Sequence, residues 1–400
     1  MLNNFTWREL LIRFALVFFC LSLWLNGLNF FAIHILTLAW VVDGGLLRFG
    51  RLIKEPLVQA IVVLCVALLL GLLWSDYPNG GRIKWIKYFI LLTFIPFLSL
   101  LNKARLPWVI GALLIGYFGV LFVGVYQWAI LGQQGIPVFK MSYLSFSAML
   151  GVGVILAVYL AATVQTKLLK ILFVILALAL LFIQFNQNAR GLILATLCTL
   201  SFLLILLYRV ETKKIMAVLA SLIIVIAVFV FNSTVLQERL LQVGHDVELL
   251  QQGNYSSSVG YRIAMWDVGI DGIAKKPWLG HGTGMPVSYF ENTVLTYKNG
   301  AYKDLPAFHA TSHYHNDWIE IGMHLGLLGI SALFFLLWSW YRAFKQCQLS
   351  ILGATVVCYI FLAGLTDSFI IYSRIPVLLL IITAITIFSQ RENLVLKKTI

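Results

Sequence analysis

The run PLVQAIVVLCVALLLGLLW, residues 56–74, is nineteen residues long and carries no charge. An α-helix rising 1.5 Å per residue needs about 20 residues to cross the hydrocarbon core of a bilayer. The run therefore reads as a membrane span, with Lys54 and Glu55 marking its start. Working outward in both directions gives eleven similar runs. They fall at roughly 9–26, 28–42, 84–101, 107–130, 142–162, 168–186, 190–208, 215–231, 318–338, 350–370 and 374–390. Over its 400 residues the chain is 61% hydrophobic and only 11% charged, against roughly 25% charged for a soluble domain. A β-barrel would instead show alternating segments of about ten residues. The expected fold is an all-α polytopic membrane protein with about twelve transmembrane helices.

Lysine and arginine give the expected orientation. With the N-terminus inside, the cytoplasmic segments hold Arg8, Arg13, Arg48, Arg51, Lys54, Lys103, Arg105, Lys167, Lys170, Arg209, Lys213, Lys214, Arg342, Lys345, Arg391, Lys397 and Lys398. These are seventeen of the 29 basic residues, and six of the others lie in one long loop. Both termini are expected inside, and the first run, which no small-residue cleavage site follows, is expected to stay as a span. A net charge of +13 can signal nucleic acid, but here the basic residues flank spans, so no nucleic-acid partner is expected. The five cysteines form no CxxC pair and no disulfide framework.

The chain divides on this reading into residues 1–231 (spans one to nine), 232–317 (a large, partly helical outer loop) and 318–400 (spans ten to twelve and an inner C-terminus). The loop holds eight acids against six basic residues, so an anion bound there must be held by particular arginines. Within it, SSSVGYRIAMWDVGIDGIAKKPWLGHGTG reads as a helix with Ser258 as N-cap. Ile263, Trp266, Ile270 and Ile273 form its apolar stripe, and Pro277 with Gly280, Gly282 and Gly284 ends it.

Charge at the outer ends of spans calls for explanation. Arg190 opens the eighth span in FNQNARGLIL, Arg82, Lys84 and Lys87 enter the fourth in GGRIKWIKYF, and Asp367 and Arg374 bracket the last hairpin. Ionisable residues at membrane depth usually face a bundle interior or a watery cavity. The plainer alternatives are headgroup anchoring for the basic residues, mutual pairing for Asp367 and Arg374, and an ion pair with Asp267 or another loop acid for Arg262 on the loop helix. His309, His313 and His315 crowd the entry to the tenth span in HATSHYHNDWIEIGMHLGLLGI, residues 309–330. They admit three readings: a metal site, interface residues without a role, or a general base beside Asn316, Asp317 and Glu320.

The same stretch contains His315-Asn316, nine residues, then Gly326-Leu-Leu-Gly329. This HN-x9-GxxG pattern resembles the signature of the O-antigen ligase family. That family belongs to a wider superfamily with O-antigen polymerases and bacterial protein O-oligosaccharyltransferases. The large loop before the motif, an arginine opening a mid-chain span and another in YRIAMWDVG fit the same family. The resemblance implies a glycosyltransferase in the inner membrane of a Gram-negative cell, with a periplasmic active site. The donor would be polysaccharide on undecaprenyl diphosphate and the acceptor a sugar hydroxyl of the lipid A core oligosaccharide, among membrane lipids. Neither a cofactor nor a metal is expected. Arg190 and Arg262 would bind the diphosphate and His315 would serve the acceptor, while His313 and Glu320 fall at further polar positions of the motif. Arg82, Lys84 and Lys87 could meet the phosphates of the core. A polymerase, a protein transferase and a transporter remain the alternatives.

Overall fold

The structure, a computed structural model, describes residues 7–25, 27–75, 84–132, 139, 141–187, 189–305, 313–370 and 374–398. Arg82 and His309 lie outside the described residues, as does the side chain of Lys84. In chain order the α-helices are α1 Trp7–Ser22, α2 Asn29–Val42, α3 Gly45–Leu52, α4 Pro56–Leu70, α5 Phe94–Leu100, α6 Leu106–Ala129, α7 Tyr143–Thr163 and α8 Lys167–Phe185. They continue with α9 Arg190–Tyr208, α10 Thr212–Asn232, α11 Thr234–Gln251, α12 Ser258–Lys275, α13 Met285–Thr293, α14 Asp317–Gln346, α15 Ser350–Thr366 and α16 Arg374–Lys398. No strand occurs among the described residues.

Each of the twelve apolar runs is helical where it is described, so the chain is an all-α polytopic membrane protein. Among the described residues, seven helices are long and apolar enough to cross a membrane: Pro56–Trp74, α6, α7, α8, α9, α10 and α14. The remaining runs are shorter or bent. Helix α2 turns through 95° into the amphipathic α3, and Trp85–Leu100, α15 and Arg374–Ser389 are shorter apolar helices. Helix α7 is the centre of the bundle and packs on α8, α9 and α16. Helix α10 buries none of its residues, as expected of a helix that is apolar all round and faces lipid.

At the end of the bundle where α1 begins and α2 ends, acids and arginines form a closed network. Glu9 accepts from Arg105 Nη2 at 2.6 Å and from Arg13 Nε at 2.9 Å, and Asp43 pairs with Arg8 at 3.2 Å and with Arg48. Arg105 is buried and also donates to the Leu100 carbonyl.

The long helix α14 is broken at Gly326, whose φ of 59° and ψ of −143° suit only glycine. The break leaves backbone groups without helical partners, and the loop after α12 supplies them. Leu327 N donates to Pro277 O at 2.7 Å and Leu328 N to Trp278 O at 3.2 Å. In return His281 N and Gly282 N donate to Met323 O and His324 O at 2.9 and 3.0 Å. A Cβ at Gly326 would come within 2.5 Å of Pro277 O, so the two segments touch backbone to backbone. Beyond the break, residues 327–346 extend about 30 Å, one bilayer core. The glycine pair of the motif thus marks where the spanning part of α14 begins.

The 232–317 segment is itself mostly helical where it is described. Ser257, one residue before the expected cap, is the N-cap of α12 and accepts from Gly260 N at 3.0 Å. The expected apolar stripe is not the buried one: Ile263 and Ile270 are exposed, and α12 buries Ala264, Met265, Val268, Gly269 and Gly272 instead. Small residues let α12 lie close on α14, where a Cβ at Gly269 would meet Ile319 at 2.4 Å. Ile263 and Trp266 are thereby turned toward a cavity.

Candidate functional site

Four pieces of the chain meet at the end of the bundle away from the Glu9–Asp43 network: the start of α9, the first turns of α12, the 313–317 turn, and the 365–370 turn after α15. Asn316 N-caps α14, its Oδ1 accepting from Trp318 N at 2.9 Å and Ile319 N at 3.2 Å. Asp317 accepts from Ile370 N at 3.2 Å, which ties the two turns together. Glu320, buried one turn into α14, accepts from Tyr314 N at 2.8 Å and lies 3.5 Å from His324 Nε2. Trp266 Nε1 donates to Tyr314 O at 3.0 Å and fastens α12 to the same turn.

These contacts hold His315 in a left-handed backbone, with φ of 49°. A non-glycine residue pays strain there and keeps it only where its surroundings over-determine the conformation. The result is that His313 and His315 lie with ring centroids 4.0 Å apart, tilted by 45°, and both reach one oxygen of Asp367. His315 Nδ1 lies 2.9 Å and His313 Nε2 3.1 Å from Asp367 Oδ1. Burial pushes the Asp367 carboxyl up, but the hydrogen bonds from the two histidines outweigh it and hold the group well below the usual carboxylate range. Burial likewise lowers the buried His313 imidazole, against the pull of Asp367. Donation from His315 Nδ1 to a carboxylate leaves Nε2 as the lone-pair nitrogen, the tautomer of an oriented base. The three ligand atoms also lie within 4.8 Å of one another, close enough to hold a metal ion. Asp367 is thus the residue whose part the sequence hid. Its charge at the lip was visible, but its partners lie 52 and 54 residues away.

Asp367 also lines a cavity of about 760 Å³ that contains Arg190 and Arg262. Arg190 begins α9, whose N-cap Ala189 and first residues Arg190, Gly191 and Leu192 line the cavity. Arg262 lies one turn into α12 and donates to Ser258 Oγ at 3.3 Å. The expected ion pair between Arg262 and Asp267 does not form. Asp267 is held by Lys298, by Tyr302 Oη at 2.8 Å and by Tyr297, on the other side of α12. Arg262 has no ion pair among the described residues, and its buried Nε has no hydrogen-bond partner. Arg190, Arg262 and the His315–Asp367 pair are therefore brought to one place, with His313 beside them. Glu320 faces the 313–316 backbone, and Lys87 is exposed and outside the cavity lining. Arg374 reaches the Leu25 carbonyl at 3.5 Å, while Asp367 takes the histidines.

Residues 175–334 match the model of a family described as O-antigen ligase. A curated relative, the O-antigen ligase of Escherichia coli (strain K12), is 27% identical over 237 residues, which is 59% of this chain and 50% of that protein. The chain spans about half the length of that relative. The matched segment contains Arg190, Arg262, His313, His315, Glu320 and the glycine break. Two comparisons thus bear out the resemblance carried by the HN-x9-GxxG stretch: over residues 175–334 the chain is similar to the O-antigen ligase family.

Proposed function

We propose that this protein transfers a polysaccharide from undecaprenyl diphosphate to a sugar hydroxyl of the lipid A core, at the periplasmic face of the inner membrane. The observation that carries the reading is the meeting of Arg190 and Arg262 in one cavity with Asp367, the carboxylate that holds the His315 imidazole. Arg262 is a cation with no ion pair among the described residues, kept beside the first turns of two helices, α9 and α12. Helix N-termini and arginine forks both favour phosphate oxygens.

In the step we propose, the acceptor hydroxyl oxygen attacks the anomeric carbon of the donor. Its proton passes to His315 Nε2 as the new glycosidic bond forms. The bond from the anomeric carbon to the diphosphate breaks with its electron pair going to the phosphate oxygen, and the polyprenyl diphosphate leaves with its added charge facing Arg190 and Arg262. Direct displacement inverts the anomeric centre. Asp367 steadies the imidazolium that forms, which leaves no step that requires a metal. A positioned base contributes roughly 10²–10⁴-fold, and preorganised charge at the leaving group about 10²–10³-fold per donor.

A strain lacking the protein tests the reading. Its lipopolysaccharide should run as bare core while long glycan accumulates on undecaprenyl diphosphate. A core carrying one repeat unit would assign a polymerase instead. Purified protein with both lipid substrates should turn over unchanged in EDTA. Inactivation by EDTA that zinc or magnesium reverses would replace the base by a metal held at His313, His315 and Asp367.

A further inference from the structure

Four carboxylates are buried among the described residues: Asp246, Asp317, Glu320 and Asp367. Asp317 accepts from Ile370 N, Glu320 from Tyr314 N, and Asp367 from the histidines. Asp246, on α11, is the exception. It is 8% exposed, and among the described residues no hydrogen bond or ion pair reaches it and its occluded Oδ2 has no donor. A buried carboxylate without donors costs free energy that folding alone does not recover. Asp246 lies on the wall of the cavity that holds Arg190 and Arg262. Gln242, one helical turn earlier, lines the same wall. So does Trp266, whose indole is fixed by its bond to Tyr314 O.

A carboxylate, a carboxamide and an immobilised indole in one cavity match the chemistry of a pyranose. The acids and amides take paired hydroxyls, and the flat ring covers the sugar's C–H face. The same carboxylate is a poor neighbour for phosphate, so it gives the cavity a direction, with phosphate toward the arginines and hydroxyls toward α11. We propose that Asp246, with Gln242 and Trp266 beside it, forms a subsite for the sugar bonded directly to the donor diphosphate. The proposal rests on the donor reading above. It assigns the sugar to the donor because the residue attached to a diphosphate held by Arg190 and Arg262 must lie in the same cavity. Asp246 then selects for hydroxyl-bearing sugars at the reducing end and takes no proton from them.

The test uses full-length protein in vesicles and two probes, undecaprenyl diphosphate without sugar and the same lipid carrying one hexose. Wild type should bind both, the hexose lipid more tightly. Asp246→Ala should bind the bare lipid as wild type does and lose about ten- to a hundredfold in affinity for the hexose lipid. In turnover its donor KM should rise while its acceptor KM holds, and Asp246→Asn should restore part of the difference. A rise in acceptor KM alone would move the sugar to the acceptor and overturn the assignment. Equal binding of the hexose lipid by wild type and Asp246→Ala would overturn the subsite outright, as would equal loss of both probes. Failure of wild type to bind the bare lipid would instead sink the donor reading itself.

Discussion

Two clusters of charge sit at opposite ends of the helix bundle, and they are built differently. In the cluster of Glu9, Asp43, Arg8, Arg13, Arg48 and Arg105, every arginine reaches a carboxylate. In the cavity of Arg190 and Arg262, Arg262 has no acid and Asp246 no donor among the described residues, and Asp367 is given to two imidazoles. The first arrangement neutralises charge so that helix ends can pack. The second keeps charge of both signs apart inside one cavity, at a cost to stability, which is how a site prepared for an incoming charged group differs from a structural ion network.

The comparison breaks most easily at Arg105. Arg105→Ala leaves Glu9 and Asp43 short of a partner in a buried setting, and removing one member of such a pair costs about 3–5 kcal/mol. Thermal unfolding in detergent should fall sharply, while turnover per folded molecule stays near wild type. A full loss of turnover in well-folded protein would erase the distinction between the two ends.

Arg262→Ala should do the reverse. Transfer should drop about 10²–10³-fold with thermal stability unchanged, and Arg262→Lys should recover only part because it keeps charge and loses the fork. Rates measured beside unfolding curves decide it, and a wild-type rate would remove Arg262 from the cavity's chemistry.

Asp367→Asn tests the imidazole pair. An amide can present its N–H₂ to His315 Nδ1 and favour the wrong tautomer, so transfer should fall about 10–100-fold with donor binding retained. Loss of donor binding along with rate would make Asp367 part of the diphosphate site.

The smallest effect is expected at Asp267, whose ion-pair partner Lys298 is exposed. Burial raises its carboxyl, but Lys298 and Tyr302 outweigh this and hold it below the usual range. A carboxyl lowered on folding stabilises fully above its ordinary value near 4 and loses that contribution as pH falls through the folded value. The melting temperature of wild type should therefore decline below about pH 4 more steeply than that of Asp267→Asn, by an amount equivalent to 1 kcal/mol at most. Identical pH profiles would mean that the Asp267–Lys298 pair contributes nothing to the loop.

The spans were legible because a long uncharged run has few alternatives in a bilayer. Arg190 and the histidines stood out by where they sit, but the roles expected of Arg190, Arg262 and His315 came from the family resemblance. The face of α12 was not. Its isoleucines and tryptophan outline an apolar stripe, yet the face that packs is the one whose small side chains allow close approach, and Gly269 and Gly272 carry little hydrophobic signal. The partners of Asp367 were hidden for another reason. Nothing local in GLTDSF records that a turn more than fifty residues earlier will arrive beside it. Asp246 was passed over because an acid in a polar loop looks solvated until burial and the missing donor are known.

The splice at Gly326 also makes the segment before it a ruler. Both sides of the break are fixed, one by the hydrogen bonds of the 277–282 loop and the other by Asn316 and Glu320. Each residue of helix between them sets about 100° of rotation and 1.5 Å of advance. One residue added between Asp317 and Gly326 would swing His315 roughly a quarter-turn away from Asp367, while every side chain of the site remained present. The nine residues separating the two halves of the motif are therefore a dimension of the site, and their number matters independently of their identity.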